Sequence, residues 1–277
     1  MSATEEGLPG EPRPHDDHHL SDLGLPKQIT ACLFDLDGVL TQTAKIHAAA
    51  WKQTFDAFLA AYGKQVGKTF EPFDEVHDYE LYVDGKPRTD GVRSFLTARG
   101  VELPEGTPDD PTTAQTVQGV GNAKNKAFNE VLAKQGLEPF EGSVSYVHAV
   151  QAAGLRRAVV TSSANCAAVL RAAGMDGLFD TTIDGNDLTR LHLLGKPAPD
   201  TYLAAARALE VGPGEAAVFE DALAGVEAGR AGKFGWVVGV DRLGQAAALR
   251  ANGADIVVDD LADLLPEGQR PESGSAR

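Results

Sequence analysis

The chain has 277 residues, 43% of them apolar, enough to fill the core of one large domain or two modest ones and to exclude global disorder. Its 40 acidic against 25 basic side chains leave a net charge of −15, a field that repels nucleic acid and anionic membranes; a small phosphate needs basic residues gathered locally. No segment approaches the roughly 18 apolar residues of a membrane span, no apolar signal core follows Met1, and Cys32 and Cys166 read as buried free thiols, so a cytoplasmic protein is expected.

From the N-terminus, residues 1–27 read as a flexible, solvated arm punctuated by Gly7, Pro9, Gly10, Pro12 and Pro14. Its cluster of His15, Asp16, Asp17, His18 and His19 has metal-ligand chemistry, but no pattern around it would hold the ligands in place. Residues 29–34 form a continuous apolar run that stops at Asp35, as expected of a strand covered on both faces. Residues 44–123 follow another rhythm. Ile46, Ala50, Trp51, Phe55 and Phe58 repeat at helical spacing, as do Val92, Phe95 and Leu96, while segment 71–84 between them has no legible period. With Gly119 and Gly121 near its return, this stretch is expected to be a helical insert placed as a lid.

From about residue 140 strand and helix alternate. Apolar runs at 157–160, 181–183, 217–219, 236–240 and 256–258 read as strands. Residues 165–173, 199–209 and 222–231 read as helices, with Pro199 at a start and Gly174 and Gly232 near ends. The predicted fold is α/β: a doubly wound parallel-sheet, Rossmann-like core at 28–43 and 124–265, an inserted helical cap at 44–123, and a polar tail at 266–277.

The residues with chemistry sit where apolar runs end. Phe34-Asp35-Leu36-Asp37-Gly38 places two carboxylates one residue apart at the carboxyl end of a strand, where open α/β sheets bind ligands. One carboxylate can attack phosphorus to form an acyl phosphate, and the other can move the alcohol's proton. Attack of an anion on an anion needs a hard divalent cation nearby. A plain loop or a calcium site would also fit Asp-x-Asp alone. Thr161, Ser162 and Ser163 end a second strand and precede a helix whose free N–H groups could hold phosphate oxygens, or could simply be capped. Lys196 projects from the Gly195-Lys196-Pro197 loop as a candidate phosphate partner, although loop lysines are commonly just solvated. Glu220-Asp221 ends another strand and offers metal ligands, or helix capping.

In this order the four loops resemble the haloacid dehalogenase superfamily over roughly residues 29–265. The resemblance implies Asp35 as nucleophile, Asp37 as general acid/base, and Thr161 with Lys196 on the phosphate. It also implies Mg²⁺ held by Asp35, Glu220, Asp221 and the backbone carbonyl of Asp37. The run from Asp35 to Lys52 further resembles the β-phosphoglucomutase-like subfamily, which shares Thr43, His47, Trp51 and Lys52 in this register. There the region couples lid closure to proton transfer. His47 and Trp51 also fit a lid helix packing its own core. Arg88 resembles the lid arginine that grips a second phosphate, with Ser163 and Asn165 facing it. Ala164 departs from the pattern where a lysine is usual, and Lys86 is expected to restore that charge; Lys124 and Lys126 are weaker candidates.

The resemblance implies interconversion of β-D-glucose 1-phosphate and glucose 6-phosphate through the 1,6-bisphosphate. The alternative is a sugar-phosphate phosphatase with the same site. A dehalogenase is disfavoured because it does not need the acid at Asp37, and a non-catalytic phosphosugar sensor because all four loops are intact. The expected partner is a small sugar phosphate, with no nucleic acid or membrane. A monomer is expected, though no pattern bears on oligomeric state.

Overall fold

The computed structural model describes residues 22–271. Six parallel strands form one sheet: β1 (Ala31–Phe34), β2 (Arg156–Val160), β3 (Thr181–Ile183), β4 (Ala216–Glu220), β5 (Trp236–Val240) and β6 (Ile256–Val258), in the order β3-β2-β1-β4-β5-β6. The chain thus walks outward from β1 in both directions, and the switch falls beside β1, where such sheets open a ligand crevice. Register makes the crevice functional. Phe34 pairs with Val159 on one side and Phe219 on the other, so Asp35, Thr161 and Glu220 emerge nearly level.

Side chains alternate across the sheet and both faces are covered. Cys32, Phe34, Val159, Phe219 and Val238 pack in one cluster with Tyr146 and Val147 of the helix Glu141–Ala152 (α4). Ala31, Leu33, Val160 and Val218 pack in another with Tyr202 and Ala205 of the helix Asp200–Ala208 (α7). The remaining core helices are Cys166–Ala172 (α5), Gly185–Leu191 (α6), Leu223–Ala231 (α8) and Ala246–Ala251 (α9). Gly174 takes the left-handed turn after α5, as expected, but after α8 that conformation falls to Lys233 (φ 57) rather than Gly232. Gly232 is small for another reason: a Cβ there would stand 2.5 Å from the Phe234 ring.

The cap contains α1 (Ala44–Val66), a π-helical turn at Tyr79–Val83, α2 (Arg88–Ala98) and the first part of α3 (Val117–Gln135). Trp51, Phe55, Phe73, Val83, Val92, Phe95 and Leu96 form its own core. The segment without legible period is therefore held by tertiary contacts: Phe73 is buried there, its N–H donating to Asp56 and its carbonyl accepting from Lys52.

The expected return to the core between 123 and 124 lies inside α3. That helix places Val117 and Val120 in the cap cluster and Ala127 and Phe128 in the sheet cluster. α1 does the same, with Ile46 and Ala50 on the sheet side and Ala48 and Trp51 on the cap side. A helix bridges both bodies because its stripe stays apolar throughout, leaving no break to read.

Leu23 and Leu25, expected within the solvated arm, are instead anchored to the core, buried in the sheet cluster, and Tyr146 Oη donates to the Leu23 carbonyl at 2.8 Å. The His15–His19 cluster lies outside the described residues. The start of the C-terminal tail makes a 3₁₀ turn at Glu267–Gln269, and Arg270 Nε donates to the Leu265 carbonyl.

Candidate active site

Asp35 leaves β1 with its backbone N–H still in the sheet, donating to the Phe219 carbonyl at 3.0 Å. Its buried carboxyl accepts from Lys196 Nζ at 2.5 Å. Lys196 also bonds the Glu220 carboxylate, and donates to the Val160 carbonyl at 3.3 Å, so one cation ties three strand ends together. Tyr202 Oη of α7 donates to Glu220 Oε1 at 2.8 Å, and the Ala222 N–H donates to Oε2 at 3.2 Å. Burial favours neutral lysine, yet Asp35 and Glu220 reverse this and hold the Lys196 pKa above its usual range. Burial pushes Asp35 well up, and Glu220 and Asp37 add to the rise against the pull of Lys196. Asp221 is likewise raised, by burial and then by the nearby carboxylates of Asp84, Asp35 and Glu220.

Carboxylate oxygens of Asp35, Glu220 and Asp221 all lie within 4.8 Å of one another. Three carboxyl groups converge here on a single ammonium, Lys196, and burial first, then the neighbouring acids, raise Asp35 and Asp221. All-oxygen donors with surplus negative charge suit a hard divalent cation, so the residues present fit such an ion. Gly38 makes the approach possible: its φ is +89°, and a Cβ there would stand 1.8 Å from Asp221 Oδ2.

Asp37 has a different environment. Thr43 Oγ1 donates to its Oδ1, Thr161 Oγ1 donates to its Oδ2 at 3.3 Å, and His47 Nε2 lies 3.3 Å from Oδ1. Behind His47, Lys124 Nζ is 2.5 Å from Nδ1 and sits over the rings of Trp51 and Phe128. With Lys124 donating to Nδ1, the imidazole proton sits on Nε2, close to Asp37 but outside hydrogen-bond geometry. Burial pushes Asp37 up, but His47, Thr43 and Lys124 outweigh it and hold the carboxyl well below the usual range. Burial and the Lys124 charge lower His47, and burial brings Lys124 down to about 7.

These groups border a cavity of about 530 Å³ between sheet and cap, within the range of small-molecule sites. Asp35, Asp37, Asp221 and Thr161 line it from the core, with Lys196 and Glu220 beneath. Ser162, Ser163 and Asn165 line it too: the Ser163 N–H donates to Thr161 Oγ1 at 3.0 Å, and Asn165 Nδ2 donates to Asn125 Oδ1 at 3.0 Å. From the cap come His47, Trp51, Lys86 and Arg88. Arg88 is held by Asn122 Oδ1 at 3.4 Å, its Nε has no protein partner, and Gly121 lets the side chain lie against α3.

Three expected residues are placed otherwise. Lys52 is not at the cavity; its ammonium bridges Asp56 at 2.9 Å and the Phe73 carbonyl at 3.0 Å, a cap-stabilising role. Thr43 acts from behind Asp37 without lining the cavity. Lys86 borders it, but its ammonium donates to the Leu81 carbonyl and Ser94 Oγ within the cap. Lys124, a weaker sequence candidate because one lysine in an amphipathic helix carries no special signal, lines the same cavity as Ala164, with its ammonium on His47. Asp84, Tyr79, Asn125 and Asn186 also border the cavity and had no motif to mark them.

A strand-end acid pair, a buried lysine and an acidic cation nest at the switch of a parallel sheet, closed by a helical cap, define a phosphoryl-transfer enzyme. The chain belongs to the haloacid dehalogenase-like hydrolase family, whose model matches residues 29–233. It is 56% identical to a β-phosphoglucomutase of Mycobacterium bovis, over 88% of this chain and 94% of that one. A β-phosphoglucomutase of Bacillus subtilis is 31% identical, covering 86% of this chain and 92% of its own. Among solved structures, β-phosphoglucomutase from Clostridium difficile has the same fold: TM-score 0.66, 23% identity, 87% of this chain and 95% of that one.

Proposed function

We propose that the protein is a β-phosphoglucomutase, converting β-D-glucose 1-phosphate to glucose 6-phosphate through glucose 1,6-bisphosphate, with Mg²⁺ as the cation. Support comes from the Mycobacterium bovis relative and from one feature of the cavity: it has two separate sets of cationic groups. Lys196 serves Asp35, while Arg88, its Nε without a protein partner, borders the space under the cap. A monophosphate ester needs one such set; a bisphosphate held across the cavity needs both.

The chemistry assigned to each residue follows from its surroundings. An Asp35 oxygen attacks phosphorus, forming an aspartyl phosphate as the bond to the donor oxygen breaks. Mg²⁺ held by Asp35, Glu220 and Asp221 would supply charge neutralisation to the transferring group. Lys196 holds Asp35 in line and offsets charge at its phosphoryl oxygens. Asp37, kept ionised by Thr43, His47 and Lys124, takes the proton from the sugar hydroxyl that attacks the phospho-enzyme, then returns it to the oxygen that leaves in the next half-reaction. Arg88, Ser163 and Asn165 hold the other phosphate while the sugar turns.

Water at about 55 M competes with the sugar hydroxyl, so the cap must be shut during transfer. Ser162 Oγ donates to the Gly85 carbonyl at 2.9 Å, tying the cap to the phosphate loop. The acidic chain and its two buried thiols suit the reducing cytoplasm.

The test is product analysis with β-glucose 1-phosphate, Mg²⁺ and a trace of glucose 1,6-bisphosphate. Glucose 6-phosphate is expected. Free glucose and inorganic phosphate as sole products would make it a phosphatase. Asp35→Asn should abolish turnover while leaving phosphosugar binding.

A further inference from the structure

Asp84 is the one acidic side chain that the cap segment 44–123 contributes to the cavity lining among the described residues. It follows the π-helical turn Tyr79–Val83, where its backbone N–H donates to the Tyr79 carbonyl at 2.9 Å. The next residue is pinned to the core. The Gly85 carbonyl accepts from Ser162, and a Cβ at Gly85 (φ +67°) would stand 3.1 Å from the Ala222 Cβ. Asp84 is therefore carried by the cap but positioned by the core, and only when the two meet.

Its carboxyl lies within electrostatic reach of Glu220, Lys196 and Asp37, and Asp221 lies within reach of it. It is not among the three carboxylates that converge within 4.8 Å. Burial, with Glu220 adding, raises its pKa to about 7, and in its ionised form it would repel a phosphate 4 Å away near a protein surface by about 4 kcal/mol. Asp84 lines the cavity, and its carboxyl group has about four acceptor positions, more than the neighbouring Tyr79 hydroxyl can fill. In a site for a phosphosugar, the uncharged donors are the ring hydroxyls.

We propose that Asp84 is a specificity-determining residue that accepts a hydrogen bond from a ring hydroxyl of the sugar phosphate when the cap closes. This rests on the sugar-phosphate reading above. It assigns Asp84 a task separate from the cap cation: Arg88 reads the anionic group, and Asp84 reads the polyol.

The experiment measures kcat/KM for β-glucose 1-phosphate and its 2-, 3- and 4-deoxy analogues with wild type, Asp84→Asn and Asp84→Ala. Removing the hydroxyl that faces Asp84 should cost wild type about 10- to 100-fold. The same removal should cost Asp84→Ala less than about threefold, with the penalties for the other hydroxyls unchanged. Asp84→Asn, which keeps the shape and one acceptor oxygen, should fall between. Equal penalties in wild type and Asp84→Ala for every analogue would overturn the assignment, while wild type inert toward β-glucose 1-phosphate itself would overturn the sugar-phosphate reading and Asp84 with it. Circular dichroism of the variants separates a lost contact from a lost fold.

Discussion

Lys124 shows how a single buried charge shapes the site. Burial brings its folded pKa to about 7, against 10.5 for a free lysine. Between those values the unfolded chain binds more protons than the folded one, so this residue makes stability rise with pH across that window. Relative to Lys124→Met, wild type should gain up to about 1.4 kcal/mol per pH unit between pH 7 and 9. Urea titrations of both proteins at the two pH values measure it, and a constant difference would mean that Lys124 keeps its proton. Asp37 works in the same direction in a more acidic window: its lowered pKa contributes stability above about pH 4 that is lost as acid protonates it. Neither effect was legible in the chain. Asp37 stood out through its motif, whereas the Lys124–His47 contact joins residues 77 positions apart and needs the pairing of α1 with α3.

At the scale of elements, the strands were read to within two residues because each is a continuous apolar run, and β1, β2 and β4 end at functional side chains. Helix ends were less legible where glycine serves space rather than turning. Gly225 in α8 is such a case. Helix propensity alone favours alanine there by roughly 1 kcal/mol. A Cβ, however, would lie 1.8 Å from Glu220 Oε1 and push that carboxylate off Lys196 and Tyr202. Breaking a buried ion pair costs about 3–5 kcal/mol, so the clash should win. Gly225→Ala is expected to lower the Tm and reduce kcat at least 100-fold; a raised Tm with full activity would show that Glu220 has room to move. Arg242 is a second contact that no local pattern announces. From the loop after β5 it donates to the Gly38 carbonyl at 2.9 Å while its guanidinium stacks on Phe140, bracing the nucleophile loop across 204 positions of sequence.

For the whole molecule, the partition between sugar and water depends on how firmly the cap rests on the core. Besides the Ser162–Gly85 hydrogen bond, Pro87 packs so closely on Gly195 that a Cβ there would sit 2.0 Å from the proline ring. Losing one hydrogen bond of about 1 kcal/mol should raise open-cap populations about fivefold. Ser162→Ala is thus expected to increase inorganic phosphate relative to glucose 6-phosphate by about that factor, followed by ³¹P NMR; an unchanged ratio would mean that other contacts hold the cap. The two thiols of the chain bear on how such motion can be watched. Cys32 and Cys166 are both fully walled off, and burial pushes the Cys166 thiol up to about 12. The native protein is therefore silent toward maleimide dyes, and single reporters placed by Leu81→Cys on the cap and Leu194→Cys on the core, at two exposed positions, would label cleanly without first deleting any natural thiol.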